Sequence, residues 1–323
     1  MQPEVVEAVG ALREKGILGD PPASHLLRAA RGELVTVRLE IRALLYLGVL
    51  LVTTGIGLFL KENHDRIGPA AIASGLGLAA AGCFLFVVRR AAPFAWGRGP
   101  DPGVAFDYVL LLGLLLVASD LAYVEVQFRL FGPHWPYHLL LVSFLCLVAA
   151  FRWDSAVALG LALTSFAAWR GVSVNILRGV LGPGRPEETR WNAVVCGLVF
   201  VALGLALVRA GRKPHFEEVW LNFGLLLLLG GLLSGAFGER SLWGAWLAAL
   251  AVVSAVVVWR AFRAGKTLYF AEGVVAAWLG ALRLLFEMFR GLPLGLAFAF
   301  VVAASAAGVL ALIVAAHRRM KAT

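Results

Sequence analysis

Charged residues are scarce in this sequence, making up 15% of its 323 residues, whereas soluble domains carry about 25%. Hydrophobic residues make up 60%, and the mean hydropathy is +0.84. A soluble domain has no use for so much apolar surface, and this scarcity of charge therefore excludes an ordinary globular fold. Cysteine is also rare, and Cys83, Cys146 and Cys196 lie in separate apolar blocks, which excludes a disulfide framework or a short metal-binding pair.

Motifs of soluble enzymes are missing as well. The sequence has no phosphate-binding loop, no zinc-binding H-E-x-x-H helix, no G-x-S-x-G elbow and no C-x-x-C pair, so no cofactor is predicted. The net charge of +9 would suit a nucleic-acid partner, but such a protein gathers its Lys and Arg on one face. Here they stand at the ends of apolar blocks, as expected of a membrane protein whose partner is the lipid bilayer.

The apolar blocks have the length of membrane-spanning helices. About 20 apolar residues at 1.5 Å each cross a hydrocarbon core of about 30 Å. The sequence therefore predicts an all-α, polytopic transmembrane bundle of about ten spans. The predicted spans are residues 43–60, 67–88, 104–126, 137–151, 154–169, 192–208, 219–237, 242–262, 268–289 and 292–316. The fourth and fifth are short, and they are either two tilted crossings or a hairpin that does not cross fully.

The distribution of Lys and Arg predicts the orientation. With the N-terminus inside, 19 of the 29 basic residues fall on the cytoplasmic side and nine on the other, while Arg283 lies within a span. Cytoplasmic loops of membrane proteins carry such an excess. Both termini are therefore predicted to be cytoplasmic.

Residues 1–42 differ from the rest in being mixed and charged, and they predict a cytoplasmic segment of short amphipathic helices before a bundle over residues 43–323. Its apolar face would suit a protein partner. Residues 35–42 alternate strictly between apolar and polar, which is typical of a strand. A helical lead into the first span is favoured, because an isolated strand has no partner nearby.

A weak internal repeat relates the two halves of the bundle, residues 43–169 and 192–316. A shift of 149 positions places four glycines on four others: Gly48, Gly55, Gly75 and Gly82 fall on Gly197, Gly204, Gly224 and Gly231. Five spans in each half would give an inverted repeat, as in many secondary transporters. The alternative is that these glycines only let neighbouring helices approach closely.

Ionisable residues inside spans are the best candidates for binding, because each is costly in lipid unless it finds a partner or water. The ninth span holds Glu272, Arg283 and Glu287, which lie within about 60° of one another on a helix and therefore share one face. Arg283 and Glu287 are spaced to form an ion pair. Glu272 needs another partner, and Arg260, Arg263 or Lys266 at the cytoplasmic end could reach it.

The third span adds Asp107 near its cytoplasmic end, with Asp120 and Glu125 toward the other side, as further candidate binding residues. The loop that follows carries His134 and His138. Carboxylates and histidines on one side could bind a divalent metal or relay protons. Solvated interface residues are the alternative, and we favour it, so no metal site is predicted.

The N-terminal part of the chain resembles a known family. Its order of features is a soluble segment with Leu12-Arg13-Glu14-Lys15-Gly16-Ile17-Leu18, a first span with Tyr46-Leu47-Gly48 and Gly55-Ile56-Gly57, and a turn at Asn63-His64-Asp65-Arg66-Ile67. This order is similar to the bacterial predicted-membrane-protein family called domain of unknown function 2157, in which the turn usually reads Asn-Trp-Asp. The resemblance covers about residues 5–90. It implies a multi-span bacterial inner-membrane protein and no particular reaction.

Three hypotheses follow. The first is a transporter or channel-like protein for a small solute or ion, favoured by the number of spans and the charged face of the ninth. The second is a non-catalytic subunit or assembly protein that docks a partner through its N-terminal segment. The third, an intramembrane enzyme for lipid-linked substrates, would rest on Asp120, Glu125 and His134.

Overall fold

Ten α-helices form among the residues that the structure describes. The computed structural model describes residues 12, 19, 38–99, 104–171, 186–238, 241–289 and 295–322, and no strand occurs among them. The helices are α1 Arg38–Ile67, α2 Pro69–Arg90, α3 Val104–Phe128, α4 Tyr137–Trp153, α5 Ala156–Trp169, α6 Pro186–Arg209, α7 Glu217–Gly238, α8 Trp243–Arg263, α9 Thr267–Met288 and α10 Gly295–Ala322. The all-α prediction is confirmed, and each predicted span overlaps one helix.

The start of the chain is described only in part. The predicted amphipathic helices of residues 1–42 lie outside the described residues, apart from residues 12, 19 and 38–42. Because α1 begins at Arg38, the helical lead into the first span is confirmed for residues 38–42. The chain divides into two compact units, Met1–Asn63 and His64–Thr323, and the second holds α2 to α10.

In the described part of the chain, seven helices are long and apolar enough to cross a membrane. They are Pro69–Arg90, Ala105–Phe128, Glu187–Arg209, Pro214–Gly238, Trp243–Arg263, Thr267–Met288 and Phe298–Met320. Their outward faces keep many large apolar side chains exposed, such as Leu78, Val252 and Phe300. Lipid satisfies such side chains where water would not. The chain is therefore a multi-pass α-helical membrane protein.

Polar contacts tie the short helices α4 and α5 to their neighbours at two different ends of the bundle. At one end, Asp154, which follows α4, accepts a hydrogen bond from the backbone N–H of Gly99 in the loop before α3. At the other, Arg170, which follows α5, donates to the side chain of Asn192 near the start of α6. α5 has 14 residues, about 21 Å of helix at 1.5 Å per residue, and in the described chain it is shorter than each of the seven candidate spans. Two tilted crossings and a hairpin that does not cross fully therefore both stay predictions for this pair.

Glycines bring the backbones of α6 and α7 into close contact. A Cβ atom on Gly197 would lie 2.5 Å from the backbone N of Leu228, and one on Gly224 would lie 2.7 Å from a Cγ of Val201. Gly75 and Gly82 of the first half have no described atom within 4 Å of such a Cβ, so the matched glycines do not play matched roles. The alternative that the matched glycines permit close approach is therefore confirmed for the second half of the chain only.

Candidate functional site

The charged face of α9 packs against α7, as its helical spacing predicted. Arg283 is 9% exposed, and its Nε donates a hydrogen bond of 3.0 Å to the backbone oxygen of Ala236. Its Nη1 donates to Oε2 of Glu287 at 2.6 Å, and the guanidinium lies over the ring of Trp243, 5.1 Å from its centroid. Arg283 and Glu287 therefore form the predicted ion pair. With these bonds made, the pair acts as a clamp between α9, α7 and α8.

Glu272, on the same face, has a different environment. Its Oε2 is buried and has no hydrogen-bond partner among the described residues. None of the expected partners, Arg260, Arg263 and Lys266, forms an ion pair with Glu272 in the described structure. Lys266 instead donates to Glu218 at 2.6 Å, and the guanidinium of Arg263 lies over the ring of Trp259. Within the described part of the chain, Glu272 is thus a carboxylate inside a membrane-spanning helix without a paired cation.

Two more polar groups lie at the level of Glu272. The contacts Glu218–Lys266 and Ala236–Arg283 show that α7 and α9 run parallel. Each residue of α7 at this contact lies beside the residue of α9 whose number is about 48 higher. This offset places Asn222 beside Tyr269, about one turn before Glu272. The Tyr269 hydroxyl and Oδ1 of Asn222 are also buried without a hydrogen-bond partner among described residues. The half of the α7–α9 contact nearer the predicted cytoplasmic side therefore holds three polar groups without hydrogen-bond partners among the described residues.

The end of α9 near these groups is tied to its neighbours by polar contacts at the helix start. The salt bridge from Lys266 to Glu218 joins it to α7, and the hydrogen bond between Thr267 Oγ1 and His317 Nδ1, 2.9 Å, joins it to α10. The hydrogen bond from Lys266 to Glu218, followed by the negative charge of Glu218 and Glu217, raises the pKa of Lys266 above its ordinary value of 10.5. The start of α9 is thus joined to both α7 and α10, close to the polar groups of Asn222, Tyr269 and Glu272 that lack hydrogen-bond partners among the described residues.

The candidate residues of α3 are not brought together. Asp107 lies in the first turn of α3, where a carboxylate is favoured by the helix dipole. Asp120 faces α2, with its Oδ2 3.5 Å from where a Cβ on Gly77 would stand, and its Oδ1 is buried without a partner among described residues. Glu125 is 7% exposed, and its Oε2 accepts a hydrogen bond from the backbone N–H of Phe131 at 2.9 Å. Each carboxylate therefore has its own surroundings.

A buried polar cluster that the sequence analysis missed joins three loops at the predicted cytoplasmic end. Asp154 Oδ1 accepts hydrogen bonds from Lys213 Nζ at 2.9 Å and from His215 Nε2 at 2.6 Å. Its Oδ2 accepts from the N–H of Gly99 at 2.7 Å. We call Asp154, Lys213, His215 and Gly99 the Asp154 cluster. Its three loops were all predicted to be cytoplasmic, and their meeting agrees with that assignment.

Electrostatics in the Asp154 cluster favour the ionised carboxylate. Burial alone would raise the pKa of Asp154, but the hydrogen bonds from Lys213 and Gly99, with the charges of His215 and Lys213, lower it below its ordinary value of 3.8. The side chain of Lys213 is only 2% exposed, and its Nζ lies 5.3 Å from the ring centroid of Phe94. A cavity of about 20 Å³ beside them is large enough for about one water molecule. The cluster therefore stabilises the loops and leaves no room for a larger ligand.

A second, larger cavity lies at the opposite end of the bundle. It is a cleft of about 510 Å³ lined by five residues of the α3–α4 connection, Glu125, Val126, Arg129, Gly132 and Trp135, and we call it the Glu125 cleft. Neither cavity is lined by a residue of α9. Among the described residues, no group of three or more His, Cys, Asp and Glu side chains is arranged to hold a metal ion.

The fold and these sites define a polytopic α-helical membrane protein in which the buried Lys213 and Arg283 are each paired with a carboxylate. Comparison with known proteins adds no assignment, since no family model, curated protein or solved structure matches the chain. The resemblance of residues 5–90 to domain of unknown function 2157 stays a prediction.

Proposed function

We propose that this protein transfers protons, alone or with a coupled small solute, across the bacterial inner membrane, and that Glu272 is the group that takes up and releases the proton. The supporting observation is the buried Glu272 Oε2 atom, which has no hydrogen-bond partner among the described residues of the bundle. An ionisable group inside a membrane span is expensive to retain and marks an ion or solute pathway more often than a packing contact.

The other charged residues of α9 support a proton rather than a larger solute. Arg283 already has Glu287 as its counter-charge, donates to the Ala236 carbonyl and lies over Trp243, so we do not assign it to binding an anion. Neither the Glu125 cleft nor the cavity at the Asp154 cluster is lined by α9. A proton needs only a chain of polar groups, whereas a larger solute needs a cavity beside Glu272.

A cytoplasmic path to Glu272 is suggested by its neighbours. Glu217 and Glu218 open α7, and the side chain of Glu218 is 65% exposed. Tyr269 lies one helical turn after Lys266, the partner of Glu218, and one turn before Glu272, and its hydroxyl is buried. We therefore assign Tyr269 a position between the cytoplasmic carboxylates and Glu272, where its hydroxyl can relay a proton by exchanging hydrogen bonds.

Proton flux in liposomes tests this function. The purified protein is reconstituted with a pH-sensitive dye inside the vesicles, and a pH step is applied outside. The parent protein should dissipate the gradient, Glu272→Gln should abolish this flux, and Glu272→Asp, which keeps a carboxyl group, should retain part of it. Glu62→Gln, which changes an exposed carboxylate of α1, is the control. A parent protein that passes no protons, alone or with any solute supplied, would contradict the proposal.

A non-catalytic membrane subunit is the second candidate function. It is favoured by how well Arg283 and Lys213 are paired inside the chain, as expected of a rigid, tightly packed bundle. The apolar surface that would dock a partner is predicted in residues 1–42, most of which lie outside the described residues. For this function, Glu272→Gln should leave complex formation and folded yield unchanged. An intramembrane enzyme gains no support, because the described contacts leave Asp120, Glu125 and His134 apart.

A further inference from the structure

The Glu125 cleft lies where α3 ends and the chain turns into α4. It has a volume of about 510 Å³ and is open on its outer side, so a ligand bound there would stay partly exposed. The candidate span Ala105–Phe128 ends beside it, so the cleft stands at the edge of the hydrocarbon layer. This end of the bundle is opposite the Asp154 cluster and is predicted to face away from the cytoplasm. A ligand here would be at the depth of lipid headgroups.

Two opposite charges line the cleft without neutralising each other. Glu125 and Arg129 are four positions apart, the spacing at which helical residues pair. They nevertheless form no salt bridge with each other, and in the described part of the chain the one hydrogen bond to the Glu125 side chain comes from the N–H of Phe131. Because α3 ends at Phe128, the Arg129 side chain does not continue the helical row of Glu125. A carboxylate and a guanidinium are therefore held apart around one space.

The backbone at Arg129 indicates that its side chain matters. Arg129 has φ of 49°, a left-handed conformation that glycine adopts at lower cost, and it is one of three such non-glycine residues in the described chain. Its position after α3 is one where helices commonly place glycine. Residues held in this region cluster at binding sites, where the cost is offset by what the side chain does.

Trp135 supplies the third wall of the cleft. Its side chain is 39% exposed, and its indole has an apolar face and a polar N–H, as suits the boundary between lipid and water. An aromatic face also attracts organic cations. The cleft thus offers a guanidinium for an anion, and a carboxylate and an indole for a cation, within one space.

We infer that the Glu125 cleft binds a phosphoethanolamine group, with the phosphate on Arg129 and the primary ammonium between Glu125 and Trp135. Guanidinium binds phosphate through paired, charge-assisted hydrogen bonds. A primary ammonium has three donors for the carboxylate, which a trimethylated ammonium lacks. This site is separate from Glu272 and does not depend on proton transfer. The group can belong to a membrane phospholipid or to a soluble glycerophosphoester.

Native mass spectrometry of the full chain distinguishes the ligands. The protein is released from nanodiscs holding equal amounts of phosphatidylethanolamine, phosphatidylcholine and phosphatidylglycerol, and retained lipids are counted. Retention of phosphatidylethanolamine should exceed that of the other two by about tenfold. In a second arm, soluble glycerophosphoethanolamine is added to lipid-depleted protein in detergent. Binding in both arms, or in either one alone, supports the site and identifies its source.

Variants connect that preference to the cleft. Glu125→Gln keeps an acceptor oxygen for the Phe131 N–H but loses the charge, and Arg129→Gln loses the guanidinium. Both should reduce the preference for phosphatidylethanolamine by about tenfold with unchanged thermal unfolding. The control is Glu187→Gln, an exposed carboxylate in the first turn of α6, which should change nothing. Equal retention of all three lipids with no soluble binding, or a preference for phosphatidylglycerol, would overturn the inference.

Discussion

Asp154 and Lys213 lie 59 positions apart in sequence, yet their side chains meet at 2.9 Å, and both have a left-handed backbone conformation, with φ of 61° and 48°. With Arg129 they are the three non-glycine residues of this kind in the described chain. Such a conformation is costly for a residue with a Cβ. The contact between the two therefore fixes both turns at once, and with them the loops that follow α4 and α6.

Breaking this contact should destabilise the protein. Asp154→Asn leaves the buried ammonium of Lys213 without its counter-charge, and removing one partner of a buried ion pair costs about 3–5 kcal/mol. Thermal unfolding in detergent should show the loss. The double variant Asp154→Asn with Lys213→Met should recover much of it, since no buried charge then stays unpaired. A double variant as unstable as the sum of the two single variants would contradict this account.

Stability of the parent should also depend on Asp154 at acid pH. Because the folded state lowers the pKa of Asp154 below 3.8, its contribution is complete above about pH 4 and is lost as the pH falls through the lowered value. The parent should therefore lose more unfolding free energy between about pH 4 and pH 2 than Asp154→Asn does. If the unfolding free energies of the two proteins fell in parallel with pH, the folded state would not stabilise the ionised form of Asp154.

The α6–α7 contact should not tolerate a side chain at Gly197. A Cβ there would lie 2.5 Å from the backbone N of Leu228 and 2.7 Å from the backbone O of Gly224, and neither can move without shifting a helix. Gly197→Ala should cost about 1–3 kcal/mol of unfolding free energy. Gly230→Ala on α7, where no described atom lies within 4 Å of the added Cβ, is the matched control and should be neutral or slightly stabilising. Equal effects at the two positions would count against this helix contact.

The Arg283–Glu287 pair should behave as a structural clamp and not as a transport group. Arg283→Met should lower the yield of folded protein, because Glu287 loses its cation and the Ala236 carbonyl loses its donor. A double-mutant cycle with Glu287→Gln should give a coupling energy of about 1–3 kcal/mol. Folded Arg283→Met protein should retain proton flux in liposomes. Normal stability with abolished flux would instead place Arg283 on the transport path.

The exposed salt bridge between Lys266 and Glu218 should contribute little. Side chains 44% and 65% exposed pair weakly, so Lys266→Gln should cost under about 1 kcal/mol. Because folding raises the pKa of Lys266, its contribution is present below pH 10.5 and is lost as the pH rises through the raised value. Thermal unfolding of parent and variant should therefore converge at high pH. A difference that persists there would mean that Lys266 acts through packing instead.

Hydropathy and helical periodicity were enough to predict the helices and the shared face of α9, because both depend on residues close in sequence. The Asp154 cluster could not be predicted in this way, since Gly99, Asp154 and Lys213 come from three separate loops. Lys213 was expected to be a solvated charge of a cytoplasmic loop, but its side chain is buried. One signal was available: Asp154 is a carboxylate in a very short loop, on the side where basic residues gather. The Glu125 cleft depends on turn geometry, which composition does not reveal.

The most direct measurement is infrared difference spectroscopy of the protein in lipid, following the C=O stretch of a protonated carboxyl group as the pH is changed. The parent should show a carboxyl band that appears and disappears with pH and that is absent from Glu272→Gln but kept in Glu287→Gln. That result would identify Glu272 as a carboxyl that exchanges its proton inside the membrane. A parent spectrum identical to that of Glu272→Gln over the whole pH range would contradict the proposed role of this residue.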